Sequence, residues 1–554
     1  MSSKAGRAAT PDGFDAQVVV IGAGPAGLMT ANLLGRYGVH VIVVEAGAEL
    51  IDYPRGVGMD DETLRTFQSA GVVEGVLPHT VPDQLLVFVD AKYRDLARMA
   101  PPMGEFGWPR RNGFVQPLAD RVLFEGLGRF DHVEVQWSST VTGLAQDEGG
   151  VTLTVDGPGG ERTLRAAYVV GADGGSSQTR KSLGLAFEGT TAPVNWLVVD
   201  IRNDPLGRPG AYVIADPRRP HVSIGLPHGI RRFEFMIKPG ESEADAADDA
   251  FIARLLERYV PRETKLDIIR RRVYAHHSRM ASRFRSGRVL LVGDAAHVMP
   301  VWQGQGYNSG IRDAFNVAWK LAMVLRGDAD DRLLDTYELE RREHVRAMIQ
   351  LSTWVGQAVS VRNRVGAALR DLFFKGISLI PKAKLYIVQM RFKPMPTLDR
   401  GAITRVGAVS EPTPVGRLFP QPWVATTDTP RQRLDDVLGP WFALVAWNND
   451  PAALLDEDAQ ARAAAAGIRL VCARPAVQLP WVDVARASDA TVVGDLDGSL
   501  KRWFDARPES VVLVRPDRIV AGVATAHRAG DLVRAFLAEV GAPKAELQDG
   551  RRTR

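Results

Sequence analysis

The sequence predicts an α/β protein with a Rossmann-type dinucleotide-binding domain, an interleaved antiparallel-sheet domain and a further α/β domain at the C-terminus. Three observations support this prediction. A complete βαβ pattern lies near the start of the chain, within residues 17–44. Five strand-like segments follow one another between about 195 and 275 with few helical patterns between them. After about 415, apolar strand patterns alternate with helical ones, as α/β domains do.

Composition narrows the functional classes. The 554 residues are 45% hydrophobic and 24% charged, which is typical of globular domains. The formal net charge is only +4, so no nucleic-acid-binding surface is predicted. The single cysteine, Cys472, excludes an internal disulfide and any cysteine-based metal site, and we expect no metal. No apolar run is long enough for a membrane span, and the polar start lacks a signal-peptide pattern, so we expect a cytoplasmic protein.

The first element is the segment QVVVIGAGPAGLMTANLLGRYGVHVIVVEAG. Gln17 to Ile21 is a short β-branched run, and Pro25 to Tyr37 carries apolar residues at helical spacing. Val39 to Val44 is a second buried-type strand that ends at Glu45. The spacing predicts two parallel strands joined by a helix.

The turn between the first strand and its helix has the pattern G-x-G-x-x-G. Its first glycine permits a tight turn, its second lets backbone amides approach a pyrophosphate, and its third lets helix and strand pack closely. The residues are Gly22, Ala23, Gly24, Pro25, Ala26 and Gly27. Glu45, 18 residues further on, is placed to accept hydrogen bonds from ribose hydroxyls. The unit predicts an adenine dinucleotide but does not distinguish FAD from NAD.

Two later strand patterns end in acidic residues. One is YVVGADGG, in which Asp173 and Gly174 are followed by Arg180. The other is RVLLVGDAAH, which ends at Gly293 and Asp294. With the glycine motif, these segments resemble, in the same order, the three fingerprints of the single-component FAD-dependent aromatic hydroxylases, the para-hydroxybenzoate and phenol hydroxylase superfamily. The resemblance covers about 15–345.

This resemblance implies bound FAD, NADH or NADPH as a transient reductant, and O2 as co-substrate. Members of the superfamily bind the nicotinamide nucleotide without a separate Rossmann domain, and this chain has no second G-x-G-x-x-G unit. A flavoprotein of the disulfide-reductase type would need that second unit and a cysteine pair, so that class is excluded.

The resemblance also implies roles for single residues around the flavin. Asp294 would bond a ribityl hydroxyl, although a helix N-cap is an alternative role for it. Asp173 and Arg180 would recognise FAD and nicotinamide; a plain turn with a surface arginine is their alternative. Arg55 would reach the pyrophosphate, and Gln116 would lie near the ribityl chain or phosphate. The loop at the start of the next helix would stabilise negative charge on the flavin, through Pro300, Gly304, Gly306 and Asn308.

Longer segments resemble one branch more closely, the 3-(3-hydroxyphenyl)propionate hydroxylase family, which also accepts 3-hydroxycinnamate. These segments include LIDYPRGVGMDDETLRT, EFGWPRRNGFVQP and MPVWQGQGYNSGIRDAFNVAWKLA. The resemblance implies ortho-hydroxylation of a small phenolic acid to its 2,3-dihydroxy product with NADH and O2, in the catabolism of aromatic compounds. Two alternatives remain: a monooxygenase of the same fold acting on another phenol or a polyketide, and a non-catalytic FAD-binding interaction protein.

Three residues are candidates for the substrate side. His276 is the candidate base for the phenol, since ring activation needs a proton acceptor near the hydroxyl. Trp302 is the candidate for an apolar wall that excludes water beside the flavin. Arg231 is the candidate for binding the carboxylate, because it shares a strand face with Phe233 and Phe235, which would wall the ring. An ordinary packing or solvated role is the alternative for each.

The predicted organisation has four parts. Residues 1–14 form a flexible start, and 15–345 form the FAD-binding unit, with a substrate-covering sheet at about 81–110 and 190–275. Residues 346–414 form a helical segment and linker. Residues 415–554 resemble the thioredoxin-like C-terminal domain of the phenol hydroxylase branch, without a dithiol. We expect that domain to have a structural role, such as forming a homodimer, and Cys472 to be buried.

Overall fold

A computed structural model describes residues 13–261, 264–407, 410–481 and 489–542. Most of the predicted flexible start, and the last residues of the C-terminal domain, lie outside the described residues. Within them, no helix is long and apolar enough to cross a membrane. The α/β class is confirmed, and the strands fall into three large sheets and one small one.

The N-terminal sheet is built around the predicted βαβ unit. Ala16–Ile21 lies at its centre and pairs in parallel with Val41–Val44 on one side and Gly160–Gly171 on the other. Both sides of this core are covered, which is why its strands are continuous apolar runs. The spatial order is Arg285–Ser286, Val289–Leu291, Gly160–Gly171, Ala16–Ile21, Val41–Val44 and Val133–Gln136, with Val151–Gly157 and Thr140–Gln146 extending from Gly160–Gly171.

Helices pack against this sheet. Pro25–Arg36 and Gln305–Arg326 lie side by side, and their inner faces share one apolar core with the sheet. The other helices of this unit are Asp61–Ala70, Val73–Val76, Gln116–Leu127 and Gln178–Ser182. A small sheet of Gly58–Met59, Asn112–Phe114 and Thr80–Val81 joins the loop after the second strand to the helix at 116–127.

The strands predicted at about 81–110 and 190–275 lie in one eight-stranded sheet, here called the cover sheet. Its order is His297–Val298, Asp267–Ala281, Phe187–Arg202, Arg231–Met236, His221–Gly225, Ala211–Ile214, Leu86–Val89 and Asp95–Met99. The prediction that it is antiparallel is wrong at one junction. Ala211–Ile214 pairs in parallel with Leu86–Val89, because the chain leaves the sheet after 99 and re-enters far along the sequence.

The two faces of the cover sheet meet different partners. The helices Glu243–Ala247 and Asp249–Leu256 cover one face, and Phe233 and Phe235 point into the core between them. The opposite face turns towards the N-terminal unit and the helix Asp335–Val359. Two further helices, Arg364–Ser378 and Pro381–Val388, close this side.

The C-terminal unit contains a seven-stranded sheet. Its strands lie in the order Gln432–Arg433, Trp423–Ala425, Thr491–Asp495, Arg469–Pro475, Ala443–Trp447, Val511–Val514 and Val520–Ala524. The helices are Leu434–Leu438, Pro451–Leu454, Glu457–Ala465, Ser499–Asp505 and Ala529–Glu539. Cys472 is 1% exposed within its strand, as predicted. The thioredoxin-like assignment stays a proposal.

A buried ion network joins the C-terminal unit to the N-terminal unit. Glu340 receives hydrogen bonds from Arg515 at 2.8 and 2.9 Å, from Lys320 at 2.9 Å and from Asn316. The side chains of Glu340, Lys320 and Arg515 are fully buried. Burial alone would raise the pKa of Glu340, but the two cations outweigh it and hold this pKa well below its ordinary value.

We expect Glu340→Gln to lower the free energy of unfolding by about 3–5 kcal/mol, since it leaves the buried Lys320 without its anion and leaves Arg515 with Asp517 alone. The pKa of Glu340 is depressed in the fold, so its stabilisation is complete above the unfolded-state pKa of about 4.3 and is lost as pH falls. Urea unfolding at pH 7 and pH 3 measures this difference, which shrinks at the lower pH. Glu343→Gln, at an exposed position of the same helix, is the matched control. Equal unfolding midpoints for the two variants would contradict the prediction.

Candidate active site

The glycine loop forms an open cradle at the N-terminus of a helix. Gly22 has φ +106°, and a Cβ there would lie 2.6 Å from the carbonyl oxygen of Ala172. A Cβ on Gly27 would lie 2.0 Å from the carbonyl oxygen of Gly22, so helix and loop touch. At Gly24, by contrast, a Cβ would meet no atom within 4 Å. The open space lies at the N-terminus of the helix Pro25–Arg36, where unpaired amides attract phosphate.

Glu45 lies beside this cradle at the end of the second strand. Its carboxylate accepts hydrogen bonds from the amides of Ala23 at 2.6 Å and Gly47 at 2.7 Å. These bonds hold the acid against the glycine loop, where the ribose of a dinucleotide would lie.

Arg55 and Asp294 face each other across the site. Their charged groups are 3.9 Å apart and remain 52% and 43% exposed. Asp294 makes no capping hydrogen bond to the short turn Gly293–Ala295, so the alternative N-cap role does not hold. Gln116, in contrast, is buried: it accepts from the amide of Gly56 and donates to Asp120. Gln116 therefore fixes the loop that carries Arg55. The sequence predicted that Gln116 would lie near the ribityl chain or phosphate, but its side chain is bonded to Gly56 and Asp120 instead.

The side chains of the second fingerprint, Asp173 and Arg180, form hydrogen bonds that hold loops in place. Asp173 accepts from the hydroxyl of Ser177 at 2.6 Å and from the amide and hydroxyl of Thr179. Arg180 is 4% exposed and donates to the carbonyls of Ala295 and Gly175. The prediction that the Arg180 guanidinium binds a dinucleotide directly is wrong, because it ties the loop at 173–175 to the loop at 293–295. Gly174, with φ +77°, forms the turn.

The loop after Pro300 leads into the 22-residue helix Gln305–Arg326. Gly304 has φ +62°, and a Cβ on Gly306 would meet one atom, at 4.0 Å, so backbone is open to the site here. The side chain of Asn308 is fully used: it donates to Gly58 and Gly304 and accepts from Asp60 and Thr63. The Asn308 side chain therefore joins the loop to the neighbouring elements, and the predicted contact of this loop with the flavin would be made by its backbone amides.

An aromatic cluster lies on the face of the cover sheet that turns towards this loop. The His276 ring stacks on Trp196 with centroids 5.5 Å apart, and Trp302 meets both rings edge-on at 5.3 and 4.9 Å. His276 is 6% exposed, and burial lowers the pKa of its imidazole to about 4, with a smaller contribution from His277. The structure thus brings the predicted base and the predicted apolar wall together.

The prediction for Arg231 is wrong. Its guanidinium is 1% exposed and is paired with Asp204 at 2.5 and 2.8 Å, with a further bond to Ser223. Phe233 and Phe235 share its face, and that face packs on the helices at 243–256. The prediction that Arg231, Phe233 and Phe235 share one strand face is correct. That face, however, is turned away from the site and towards the helices at 243–256.

Comparison with known proteins accounts for both halves of the chain. A family described as FAD binding domain matches residues 15–352, and one described as HcaD C-terminal domain matches 416–539. The 3-(3-hydroxy-phenyl)propionate/3-hydroxycinnamic acid hydroxylase of Mycobacterium avium strain 104 is 56% identical over 528 residues, covering 94% of this chain and 91% of the relative. The protein of the same name from Mycolicibacterium smegmatis is 55% identical over 515 residues, covering 93% and 92%.

The chain belongs to the 3-(3-hydroxyphenyl)propionate/3-hydroxycinnamate hydroxylase family. It is an FAD-dependent aromatic hydroxylase. The flavin-dependent monooxygenase PieE, solved with FAD and substrate, has the same fold, with a TM-score of 0.77 at 23% identity over 95% of this chain and 99% of that one. The open cradle at Gly24, and the exposed Arg55 and Asp294, fit the FAD that this family binds.

The hydroxylase carries a buried polar chain next to His276 that sequence reasoning missed. Nε2 of His276 lies 3.4 Å from the hydroxyl of Tyr274, which donates to Glu234 at 3.0 Å. Burial raises the pKa of Glu234 even though Arg232 lies 3.8 Å away. Arg232 in turn pairs with Asp200.

Register identifies the face on which this chain lies. Trp196 pairs with Tyr274 and Met236, and Asp200 pairs with Arg232, so their side chains share one face of the cover sheet. Arg232 also donates to the carbonyls of Pro54 and Arg55, so this face meets the loop that carries Arg55. We call it the site-facing face. The sequence signal for this face is the pair of charged residues Arg232 and Glu234, which alternate with the phenylalanines along the strand.

Asp60, the acid that follows Arg55 in sequence, is not a base in this hydroxylase. It is 3% exposed, caps the helix Asp61–Ala70 and is held by Arg312 and Lys393. Burial alone would raise its pKa, but the two cations hold that pKa well below its ordinary value. Its ionised carboxylate therefore anchors the fold.

Proposed function

We propose that this hydroxylase converts 3-(3-hydroxyphenyl)propionate, and 3-hydroxycinnamate, to the 2,3-dihydroxy products with NADH and O2. The observation that carries the proposal is the aromatic cluster of His276, Trp196 and Trp302 on the site-facing face, next to the flavin loop. The names of its relatives support the substrate class. The reaction balances as phenol, O2, NADH and a proton giving catechol, water and NAD⁺. NADPH is the alternative reductant.

The residues that would hold FAD are those with open or exposed groups. Amides around Gly24 would face the pyrophosphate, Glu45 the ribose, Arg55 a phosphate, and Asp294 the ribityl chain. The loop at 300–308 would direct the N-terminus of the helix Gln305–Arg326 at the ring system. Bound FAD would supply the redox chemistry that transfers one atom of O2 to the aromatic ring.

We propose that His276 accepts the phenolic proton. Burial lowers the pKa of His276, so its imidazole is neutral at pH 7, as a base must be. The negative charge of a phenolate formed beside the ring would raise this pKa towards the operating pH, where a general base works best. With Nε2–H directed at Tyr274, its Nδ1 carries the lone pair that the phenol needs. Tyr274 already donates to Glu234, so proton gain by His276 can be followed by transfer along this chain to a carboxylate whose pKa is raised. Tyr274 and Glu234 would therefore act behind His276 as a proton relay.

Water exclusion follows from the walls of the site. Trp302 is packed against Trp196, and Gly356 in the helix Asp335–Val359 lies against its indole nitrogen. Apolar side chains of the cover sheet and of that helix continue the wall. A dry pocket protects reactive intermediates from water.

The substrate carboxylate needs a cation other than Arg231. Arg272 pairs with Val198 in the sheet, so it lies on the site-facing face, two residues from Tyr274. It is exposed, and no hydrogen bond or ion pair to it is found within the described ranges. We propose that Arg272 binds the carboxylate.

Arg272→Ala should raise KM for 3-(3-hydroxyphenyl)propionate about tenfold or more, the loss of one charge-assisted contact of about 1.5–3 kcal/mol. KM for 3-ethylphenol, which lacks the carboxylate, should be unchanged. Arg271→Ala, at the neighbouring position where the side chain pairs with Asp249 on the other face, is the control. An equal rise for both substrates would show that Arg272 does not bind the carboxylate.

A substrate panel tests the proposed function. The rate of NADH oxidation is measured with 3-(3-hydroxyphenyl)propionate, with 3-phenylpropionate, which has no phenol, and with a polycyclic phenol of the polyketide type. We expect the highest kcat/KM for the first. A higher kcat/KM for the polyketide phenol would favour the alternative of a monooxygenase that acts on polyketides. If no phenol stimulates NADH oxidation, the proposal is overturned.

A further inference from the structure

Two helices near the substrate side leave an apolar face uncovered. On Arg364–Ser378, four apolar residues at helical spacing are 57–72% exposed: Val365, Leu369, Leu372 and Phe373. They follow the i, i+4, i+7, i+8 pattern of a single face. The turn and the next helix, Pro381–Val388, extend the face with Leu379, Ile380, Leu385 and Tyr386, which are 49–82% exposed. We call these eight residues the apolar face.

The inner sides of the same helices are packed. Ala367 and Arg370 are buried, and Phe374 and Ile387 contact the apolar cluster of the cover sheet and the helix Asp335–Val359. Arg370 donates to the carbonyl of Ala215 at 2.8 Å. The helices are therefore anchored by one side, and the apolar face is their outer side.

The charges around the apolar face have one sign. Six basic residues between 361 and 393 are exposed: Arg362, Arg364, Lys375, Lys382, Lys384 and Arg391. The stretch contains one acidic residue, Asp371, and Arg370 is bonded to it. The whole chain is nearly balanced, with 69 basic and 65 acidic residues, so this surface is a local excess of cations.

This charge pattern decides between occupants. A two-fold dimer through the apolar face would bring its basic residues against those of the second copy, and like charges oppose such an interface. The terminal stretches of the chain are not complementary either, since 1–12 contains Lys4 and Arg7 against Asp12, and 543–554 contains more basic than acidic residues. A bilayer with anionic headgroups provides both an apolar phase and the opposite charge.

We propose that the helices Arg364–Ser378 and Pro381–Val388 bind the surface of an anionic lipid bilayer. The apolar face would enter the headgroup and acyl boundary, and the six basic residues would contact lipid phosphates. Tyr386 would lie at the interface, where aromatic residues with a polar end are favoured. Since the inner sides of the helices pack on the apolar cluster that includes Trp302, binding would place the proposed substrate side next to the membrane. The proposal does not depend on the hydroxylase reaction.

The test is co-sedimentation of the full-length flavin-loaded protein with vesicles. Vesicles of phosphatidylcholine alone are compared with vesicles containing 30% phosphatidylglycerol, in low and high salt. We expect binding to the anionic vesicles that weakens steeply as salt rises from about 0.05 to 0.5 M, because screening shortens the range of the attraction. Equal binding to neutral and anionic vesicles, or none to either, would overturn the proposal.

Two variants localise the contact. Lys382→Glu with Lys384→Glu should weaken partitioning at least about 25-fold, since each basic residue near such a surface contributes about fivefold. The double variant Leu369→Ser, Phe373→Ser should abolish the vesicle binding that remains at high salt. Lys265→Glu, an exposed position outside the stretch, is the control and should bind as the parent does. Equal binding by all variants would contradict the assignment of this face.

Mass measurement in solution separates lipid binding from self-association. The parent and the Leu369→Ser, Phe373→Ser variant are compared by light scattering without lipid. We expect the same mass for both. A parent dimer that becomes a monomer in the variant, without vesicle binding, would show that a second copy covers the apolar face and would overturn the proposal. Hydroxylase activity in lipid-free buffer should be equal in both and reports separately on the proposed function.

Discussion

His276→Ala is expected to lower kcat by about 10²–10⁴-fold, the usual contribution of a positioned general base. The ring stacks on Trp196 with centroids 5.5 Å apart and is joined through Tyr274 to Glu234. Removal leaves the phenol without its first proton acceptor, while the aromatic floor of Trp196 and the wall of Trp302 remain. The measurement is substrate-dependent NADH oxidation together with product formation, from pH 5 to pH 9.

The pH profile distinguishes a base from a packing residue. The pKa of His276, lowered to about 4, keeps the parent's base neutral across this range, so protonation of His276 should not reduce the rate at pH 6. The variant should gain rate as pH rises towards the pKa of the free phenol, because solvent then supplies phenolate. His277→Ala is the matched control, since His277 is exposed and bonds Thr191. An unchanged kcat and an unchanged profile in His276→Ala would exclude this residue as the base.

Gly24→Val should abolish FAD binding and with it nearly all activity. A Cβ at this position meets no protein atom within 4 Å, so we expect the fold to accommodate it, but the valine side chain would occupy the space where amides must approach the pyrophosphate. We expect the parent to purify with one FAD per chain and the variant to be colourless. Flavin absorbance per protein and thermal unfolding of the flavin-free forms measure the two effects.

The control for this variant is Gly159→Val, where a Cβ also meets nothing within 4 Å, in the turn before the strand Gly160–Gly171. It should retain FAD. A Gly24→Val protein with the parent's flavin content would show that the glycine loop does not hold the pyrophosphate. Loss of flavin in both variants would point to a general effect of glycine replacement and contradict the specific role of Gly24.

The cofactor side of the site could be predicted from sequence because its signals are local. Gly22, Gly24 and Gly27 are needed for backbone reasons that depend on neighbouring residues, and the βαβ spacing places them at a helix N-terminus. What sequence could not decide is which motif side chains remain free. Arg180 and Asn308 have the right positions, but their polar atoms are used to join loops that are far apart in sequence.

The substrate side was harder because a strand has two faces and alternation does not say which one meets the ligand. Arg231, Phe233 and Phe235 form the more apolar face, and the expectation was that it would cover the ring. The helix Asp249–Leu256 supplies a second apolar layer behind the sheet, and that layer takes the phenylalanines. His276 and Trp302 were predicted singly, and only the sheet register brings them together with Trp196.

Identification of the product is the most direct test of the account. The purified hydroxylase is incubated with 3-(3-hydroxyphenyl)propionate, NADH and O2, and the product is identified by mass spectrometry and proton NMR. The account predicts 3-(2,3-dihydroxyphenyl)propionate, with one molecule formed for each NADH and each O2 consumed. NADH oxidation that yields hydrogen peroxide without a dihydroxy product, or a product hydroxylated away from the position between the two substituents, would contradict it.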